Sequence, residues 1–328
     1  MNYRTLGKTG FKISEVSLGT WQLGGKWGTP FDEGLAQKTL DKAISNGVNF
    51  IDTADVYKGT ESEIAVGKAL KKTDKQVYIA TKCGRQINPH TNENYTADKL
   101  RGYVEDSLKR LDVETIDLIQ LHCPPTEVYY RPEIFGEFDK LKQEGKIQHL
   151  GVSIEKVEEG LKALEYDNVT TIQVIYNMFR QRPKELLFPK AKERNVGIIV
   201  RVPLASGLLT GKFTKDTTFN ENDHRNFNRD GSAFDVGETF SGIPFEKGLE
   251  AVEKIKNILP DDINLVHLAL RWVLMRDEVS VVIPGASSVE HVKSNLAAAE
   301  MSDIPENIMK EIDRVYEADI KPLVHQRW

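Results

Sequence analysis

The chain has 328 residues, 40% hydrophobic and 28% charged, a balance that suits a soluble globule and argues against a disordered or membrane-embedded chain. Lysine and arginine number 44 against 49 aspartates and glutamates, and the net charge of -5 gives no electrostatic basis for nucleic-acid binding. No apolar run is long enough to cross a bilayer, and the length lies within the range of one large α/β core, so a single domain over residues 1–328 is expected. Cys83 and Cys123 are the only cysteines and form no CxxC pair, so no disulfide framework is expected. The opening MNYRTLGKTG lacks the pattern of a secretion signal and the closing HQRW matches no lipidation signal, which points to the cytoplasm.

Taken in chain order, YRTLGKTGFKIS reads as a small hairpin around Lys8-Thr9-Gly10, placed to cap the bottom of the fold. Eight β-branched runs follow: 16–21, 48–53, 77–82, 116–122, 147–153, 171–177, 196–202 and 279–285. Most are nearly continuous apolar stretches, as strands buried on both faces require. Between them, LAQKTLDKAISNG, ESEIAVGKALKK, ADKLRGYVEDSLKRL and FGEFDKLKQEG carry helical spacing, with Gly47 and Gly145 where a helix should stop. Eight such repeats predict a closed (β/α)8 TIM barrel more readily than an open doubly wound sheet. The stretch 212–243, rich in Asn, Asp, Gly and Phe, reads as an extended loop closing over a ligand at the C-terminal face.

In such a barrel the reactive groups stand where strands run out into the C-terminal loops. Asp52 ends the second predicted strand, Tyr57 follows in DTADVY, Lys82 ends the third and His122 the fourth. A phenol is a weak acid at neutral pH, so Tyr57 needs a cation beside it to stabilise its phenolate; Lys82 can supply one, with Asp52 holding the ammonium. His122 can hydrogen-bond a carbonyl oxygen, and the set suits proton donation during carbonyl reduction. Singly, these residues support plainer readings: an Asp52–Lys82 ion pair, a packed tyrosine, a structural histidine, or a Schiff-base lysine. None of the seven histidines forms a ligand pair such as HExxH, so no metal site is expected. Trp21, Trp27, Phe227, Phe234 and Trp328 are candidates for an apolar substrate cavity, Trp21 foremost.

GTWQLG, DTADVY, ATKCG, DLIQLHCPP, HLGVS, QVIYN and VIPGASS resemble, in order and over almost the whole chain, the motifs of the aldo-keto reductase superfamily. RVPLASGLLTGKF and HQRW look more like bacterial general-stress-type members and relatives of the potassium-channel β subunit than like mammalian aldose reductases. The resemblance implies an NADPH-dependent reductase of small aldehydes or ketones, with Tyr57 as general acid and Asp52, Lys82 and His122 completing a tetrad. Trp21, Tyr57 and His122 would then meet the substrate. A cofactor-binding redox sensor with little turnover is the alternative that the channel-subunit likeness suggests.

The resemblance also implies NADPH lying extended across the barrel mouth without a glycine-rich dinucleotide fingerprint. It assigns Ser153 and Gln173 to the nicotinamide carboxamide, with Thr20, Trp21 and Asp52 nearby and Asn177 assisting. It assigns Pro203, Leu204, Ser206, Leu208, Gly211 and Lys212 to the pyrophosphate, and Gly285, Ser287, His291 and Asn295 to the 2′-phosphate end. Two departures stand out. Arg201 occupies a place where many members carry an aromatic residue, and a guanidinium plane can stack there instead. Gly285 and His291 occupy places where some relatives carry Lys and Arg, with Lys293 close by in sequence.

Overall fold

The β-branched runs form strands and the amphipathic stretches between them form helices; the structure, a computed structural model, describes residues 1–260 and 263–328. Strands β1 (Tyr3–Thr5) and β2 (Lys12–Ser14) pair antiparallel as the expected hairpin. The parallel sheet then runs through β3 (Leu18–Gly19), β4 (Phe50–Asp52), β5 (Tyr78–Cys83), β6 (Ile116–His122), β7 (Ile147–Ser153), β8 (Val169–Ile175), β9 (Gly197–Arg201) and β10 (Val279–Val282), each neighbour in space being the neighbour in sequence. The sheet closes on itself. Val16 bridges Val282 and Gly19 bridges Gly285 in parallel, with Gly19 N donating to Pro284 O at 3.2 Å. That closure is what separates a barrel from an open doubly wound sheet.

Helices α1 (Glu33–Ser45), α2 (Glu61–Leu70), α3 (Ala97–Leu111), α4 (Pro132–Gln143), α5 (Val157–Ala163) and α6 (Leu187–Glu193) are the crossovers of successive repeats. Local chemistry sets their ends: Asp32 caps α1 by accepting from Leu35 N at 2.9 Å, and Gly47 and Gly145 take φ of +94° and +76° just beyond α1 and α4. The repeat after β9 is enlarged. It carries the short α7 (His224–Phe227) within the long loop, then α8 (Phe245–Ile258) and α9 (Leu265–Leu274), before β10 and α10 (Val289–Ala297) complete the ring. Helix α11 (Glu306–Val315) and the tail beyond it pack on the outside, Ile308, Ile312, Tyr316 and Ile320 being buried there.

Inside the barrel, period-two alternation separates an apolar bottom from a polar top. Phe50, Ala80, Leu118, Ile199 and Val281 form the lower layer with Leu6 and Ile13 of the hairpin. Two residues further along four of these strands come Asp52, Lys82, Gln120 and Arg201, while Ile283 beyond β10 continues the apolar layer. The hairpin therefore plugs the bottom, and its turn sits tight against β9: a Cβ on Gly7 (φ +48°) would lie 2.2 Å from Gly197 N.

Candidate active site

Parallel register delivers Asp52, Lys82 and His122 to one end of the barrel, and the loop after β4 brings Tyr57 to them. β5 and β6 pair Lys82 with Gln120, and β3 and β4 pair Gly19 with Asp52. Lys82 is buried and spends its three donors on Asp52 Oδ1 at 2.5 Å, Thr53 O at 2.8 Å and the Tyr57 hydroxyl at 3.2 Å. The other Asp52 oxygen accepts from Gln173 Nε2 at 2.7 Å and Gln120 Nε2 at 3.1 Å, so both carboxylate oxygens are engaged. A buried ion pair is stable only when its remaining hydrogen-bonding capacity is filled, and here the two glutamines fill it. Burial opposes the Lys82 ammonium, yet Asp52 and Tyr57 more than offset that and its pKa lies above the ordinary lysine value. A lysine held charged in this way is no Schiff-base nucleophile.

Tyr57 leaves the sheet on the 3₁₀ turn Tyr57–Thr60 and is half-buried, its ring 6.0 Å from His122 and 6.2 Å from Trp21. Burial raises the phenol's pKa and Lys82 pulls it back, leaving it above the ordinary tyrosine value, so the group rests as a proton carrier. The phenol oxygen accepts from Lys82, which leaves its own O–H free for a ligand. Burial first, then the Lys82, Arg85 and Arg201 cations, drive His122 well below the usual imidazole pKa. His122 is therefore neutral. Its Nδ1 is buried without a partner, and Nε2 is the nitrogen left to face the cavity that the residue lines.

Above this floor opens a cavity of about 710 Å³. Of the residues singled out in the sequence, Thr20, Trp21, Asp52, Tyr57, His122, Gln173, Arg201, Pro203, Leu204, Ser206, Lys212, Gly285, Ser287, His291 and Asn295 line it. Ser153, Leu208, Gly211 and Asn177 lie outside its lining. Ser153 stands behind Cys123 at 3.6 Å, Leu208 fills the space over Gly248, and Asn177 is tied to Val202 O at 2.9 Å. Of the five aromatics expected at a substrate cavity, Trp21, Trp27 and Phe234 reach it; Phe227 is 43% exposed against Phe234, and Trp328 packs elsewhere. Cys83 and Cys123 are both free and buried, and burial pushes the Cys123 thiol up to about 12.

Several lining residues escaped the sequence reading: Lys26, Arg85, Arg225 and Glu238. Arg85 was in reach, because it follows a barrel strand by two residues and such positions face the mouth. Lys26 and Glu238 carried no signal, since the folding of irregular loops alone brings them there. Glu238 holds Arg201, whose other contacts are Ile154 O at 3.0 Å and the Cys123 sulfur at 3.7 Å. Cys123, Glu155 and Glu238 also form, among the described residues, a group with ligand atoms within 4.8 Å of one another, but the Arg201 guanidinium already sits on two of them and supplies the positive charge there.

At the opposite end, Ser288 caps α10 by accepting from His291 N at 3.3 Å, and Ser287 Oγ lies 3.2 Å from His291 Nδ1. Lys212 and Lys26 are near enough that, after burial, their charges push the His291 pKa below its usual value. A helix N-terminus with hydroxyls and two lysines suits the phosphates of an extended anion, and the orphaned Arg201 Nε offers one more buried donor toward the middle.

The Aldo/keto reductase family model matches residues 15–317. The chain belongs to this family. It is 32% identical to the aldo-keto reductase YhdN of Bacillus subtilis (strain 168) over 295 residues, spanning 87% of this chain and 85% of the relative. It is 28% identical over 331 residues to the NADH-specific methylglyoxal reductase of Escherichia coli (strain K12), at 95% and 98% coverage. The holo form of aldo-keto reductase AKR11C1 from Bacillus halodurans superposes with a TM-score of 0.77 at 29% identity, covering 96% of both chains. The chain is thus a nicotinamide-dependent oxidoreductase of carbonyl and alcohol groups, and the Asp52, Tyr57, Lys82 and His122 cluster and the cavity occupy the mouth of a (β/α)8 barrel. No helix among the described residues is long and apolar enough to cross a membrane.

Proposed function

We propose that this aldo-keto reductase uses NADPH to reduce small aldehydes and ketones, with Tyr57 as the general acid and the whole of residues 1–328 as one catalytic domain acting in the cytoplasm. One observation carries the reading: a buried, fully bonded Lys82 ammonium lies 3.2 Å from the Tyr57 oxygen, beside a neutral His122, at the base of a cavity of about 710 Å³. The bound nicotinamide supplies the hydride. His122 Nε2 donates to the substrate carbonyl oxygen and fixes it beside the phenol. Tyr57 then gives its proton to the developing alkoxide, and Lys82 stabilises the phenolate left behind, with Asp52 keeping the ammonium in place. Trp21, with Trp27 and Phe234, excludes water from the reacting carbonyl.

The lining supports the cofactor assignment. Gln173 stands at the nicotinamide end, Ser206 and Lys212 along the diphosphate path, and Ser287, His291 and Asn295 at the far end, where Lys26 and Lys212 favour an added phosphate. One relative is named NADH-specific, so the preference is open to direct measurement. No observation favours the redox-sensor alternative.

The test follows absorbance of reduced nicotinamide while the purified protein meets a panel of aldehydes and ketones with NADPH or NADH. Carbonyl-dependent, NADPH-selective multiple turnover is expected. Tight binding of both cofactors with no turnover on any carbonyl would overturn it.

A further inference from the structure

The most distant part of the chain is packed against the part of the cavity wall that the tetrad does not explain. Trp328 is 3% exposed yet absent from the cavity lining. Its indole N–H donates to Asp235 Oδ1 at 3.1 Å and Oδ2 at 3.2 Å, and the Arg180 guanidinium lies 4.0 Å above its ring. The loop is cut to fit that ring: a Cβ on Gly237 would stand 2.7 Å from Trp328 Cζ2, and one on Gly242 2.3 Å from Cη2. Asp235 in turn accepts from Gly237 N at 2.8 Å and so caps the short turn Val236–Glu238. Glu238 ends that turn, and its carboxylate grips Arg201 in the cavity.

We infer that Trp328 is a positioning residue for the cofactor site: through Asp235 and the turn Val236–Glu238 it holds the Glu238 carboxylate against Arg201, and so sets the guanidinium in the cavity wall. The physical case is one of order. The turn is a single 3₁₀ turn, closed by Glu238 N to Asp235 O and Thr239 N to Val236 O at 3.1 Å each, and just beyond it Phe240 and Ser241 sit at φ of +53° and +55°, a conformation that non-glycine residues keep only when their surroundings over-determine it. Side-chain contacts supply that constraint, and Asn177 Nδ2 donates to Ser241 Oγ at 3.0 Å. Ser206 Oγ donates to Glu238 O at 2.8 Å and accepts from Phe240 N at 3.1 Å, and the Trp328 ring fills the opposite side over Gly237 and Gly242. Remove the ring and the turn loses its packing while Asp235, its cap, loses the indole N–H that holds it; Asp52, Tyr57, Lys82 and His122 are untouched. The tail itself is moored independently, by Tyr316 hydroxyl to His325 Nδ1 at 2.7 Å and by His325 to Glu185 at 3.1 Å, so a change at Trp328 alone leaves its anchor in place.

The inference rests on the reading of Arg201 as a cofactor contact, and the experiment separates the two. Calorimetric titration with NADPH compares the unaltered protein with Arg201→Met, Trp328→Ala, Trp328→Phe and the double variant Arg201→Met/Trp328→Phe. Arg201→Met is expected to weaken binding about tenfold, Trp328→Ala about fivefold, and Trp328→Phe less than alanine because its ring still fills the space under Arg180. The double variant should bind no more weakly than Arg201→Met alone, since a residue acting through Arg201 has nothing left to act on. In turnover, the Trp328 variants should raise the KM for cofactor and leave kcat within twofold. Should Arg201→Met lose affinity while both Trp328 variants bind as the unaltered protein does, the positioning role fails and the cofactor reading stands; full additivity in the double variant rejects it too. If Arg201→Met itself binds normally, the cofactor reading of Arg201 falls and takes the inference with it. Trp328→Phe, which removes only the N–H and part of the ring, gives the decision should the alanine variant not fold.

Discussion

Asp52, Lys82, Gln120 and Gln173 stand on four strands, each buried and each bonded to at least one of the others, whereas the flank of the same cavity is held by the loop segments from Val202 to Gly242. On that flank Val202, Ala205, Ser206, Phe240 and Ser241 are non-glycine residues at positive φ, between +47° and +55°. For a β-branched residue such as Val202 the conformation is a true outlier. The difference is one of means: the floor is fixed by sheet register and saturated hydrogen bonds, the flank by tertiary contacts that overrule local preference. The charged groups that seat the Tyr57 phenol stand on strands, and the surface that adapts to different ligands belongs on loops.

Tyr57→Phe removes the proposed proton donor and should have the largest effect, lowering kcat by ~10²–10⁴ while the cofactor Kd stays within twofold. Steady-state kinetics beside titration calorimetry checks it; a loss of cofactor affinity as large as the loss of turnover would erase the separation of floor from flank. Lys82→Met should cost stability as well as turnover, because it strands the Asp52 carboxylate in the barrel without its cation, a loss of about 3–5 kcal/mol measurable by denaturant unfolding.

Beside the floor, outside the cavity lining, Asp55 is 1% exposed with neither carboxylate oxygen bonded, and burial followed by the Glu63 charge raises its pKa from 3.8 to about 7. Because the folded state holds this proton where the unfolded state has released it, stability should fall as pH rises from about 4 to 7 and level off above. Asp55→Asn removes this contribution to the fall, gaining up to about 4 kcal/mol at pH 8 and little at pH 4. Parallel urea curves for the two proteins at both pH values test it, and an equal gap at each pH would show that charge is not the cause. On the flank, His291→Arg should tighten NADPH binding about fivefold by adding a permanent cation beside Lys212 and Lys26, with NADH unchanged. Equal tightening of both cofactors would place His291 away from any added phosphate.

Much of the fold was legible because it depends on local rules. Eight β-branched runs, helical spacing between them and glycines at Gly47 and Gly145 where φ turns positive are all statements about neighbours in sequence. Strand-end position then brought Asp52, Lys82 and His122 into view, and DTADVY added Tyr57. Ends were less legible. The run 16–21 forms a strand only over Leu18–Gly19, with Val16 adding the bridge to Val282, while Thr20 and Trp21 line the cavity.

What the sequence alone determined was the repeat, the polar residues at the strand ends and, through its motifs, the family; these follow from periodicities of two and 3.6 residues and from short patterns that need no distant partner. Tertiary structure alone decided the closure of Val16 on Val282, the two glutamines that fill the hydrogen bonds of Asp52, and the meeting of Glu238 with Arg201 and of Trp328 with Asp235. Those pairs join residues far apart in the chain, and no propensity of either partner encodes the other. Only packing does, because a buried charge or indole N–H finds its partner where the folded backbone has already brought one.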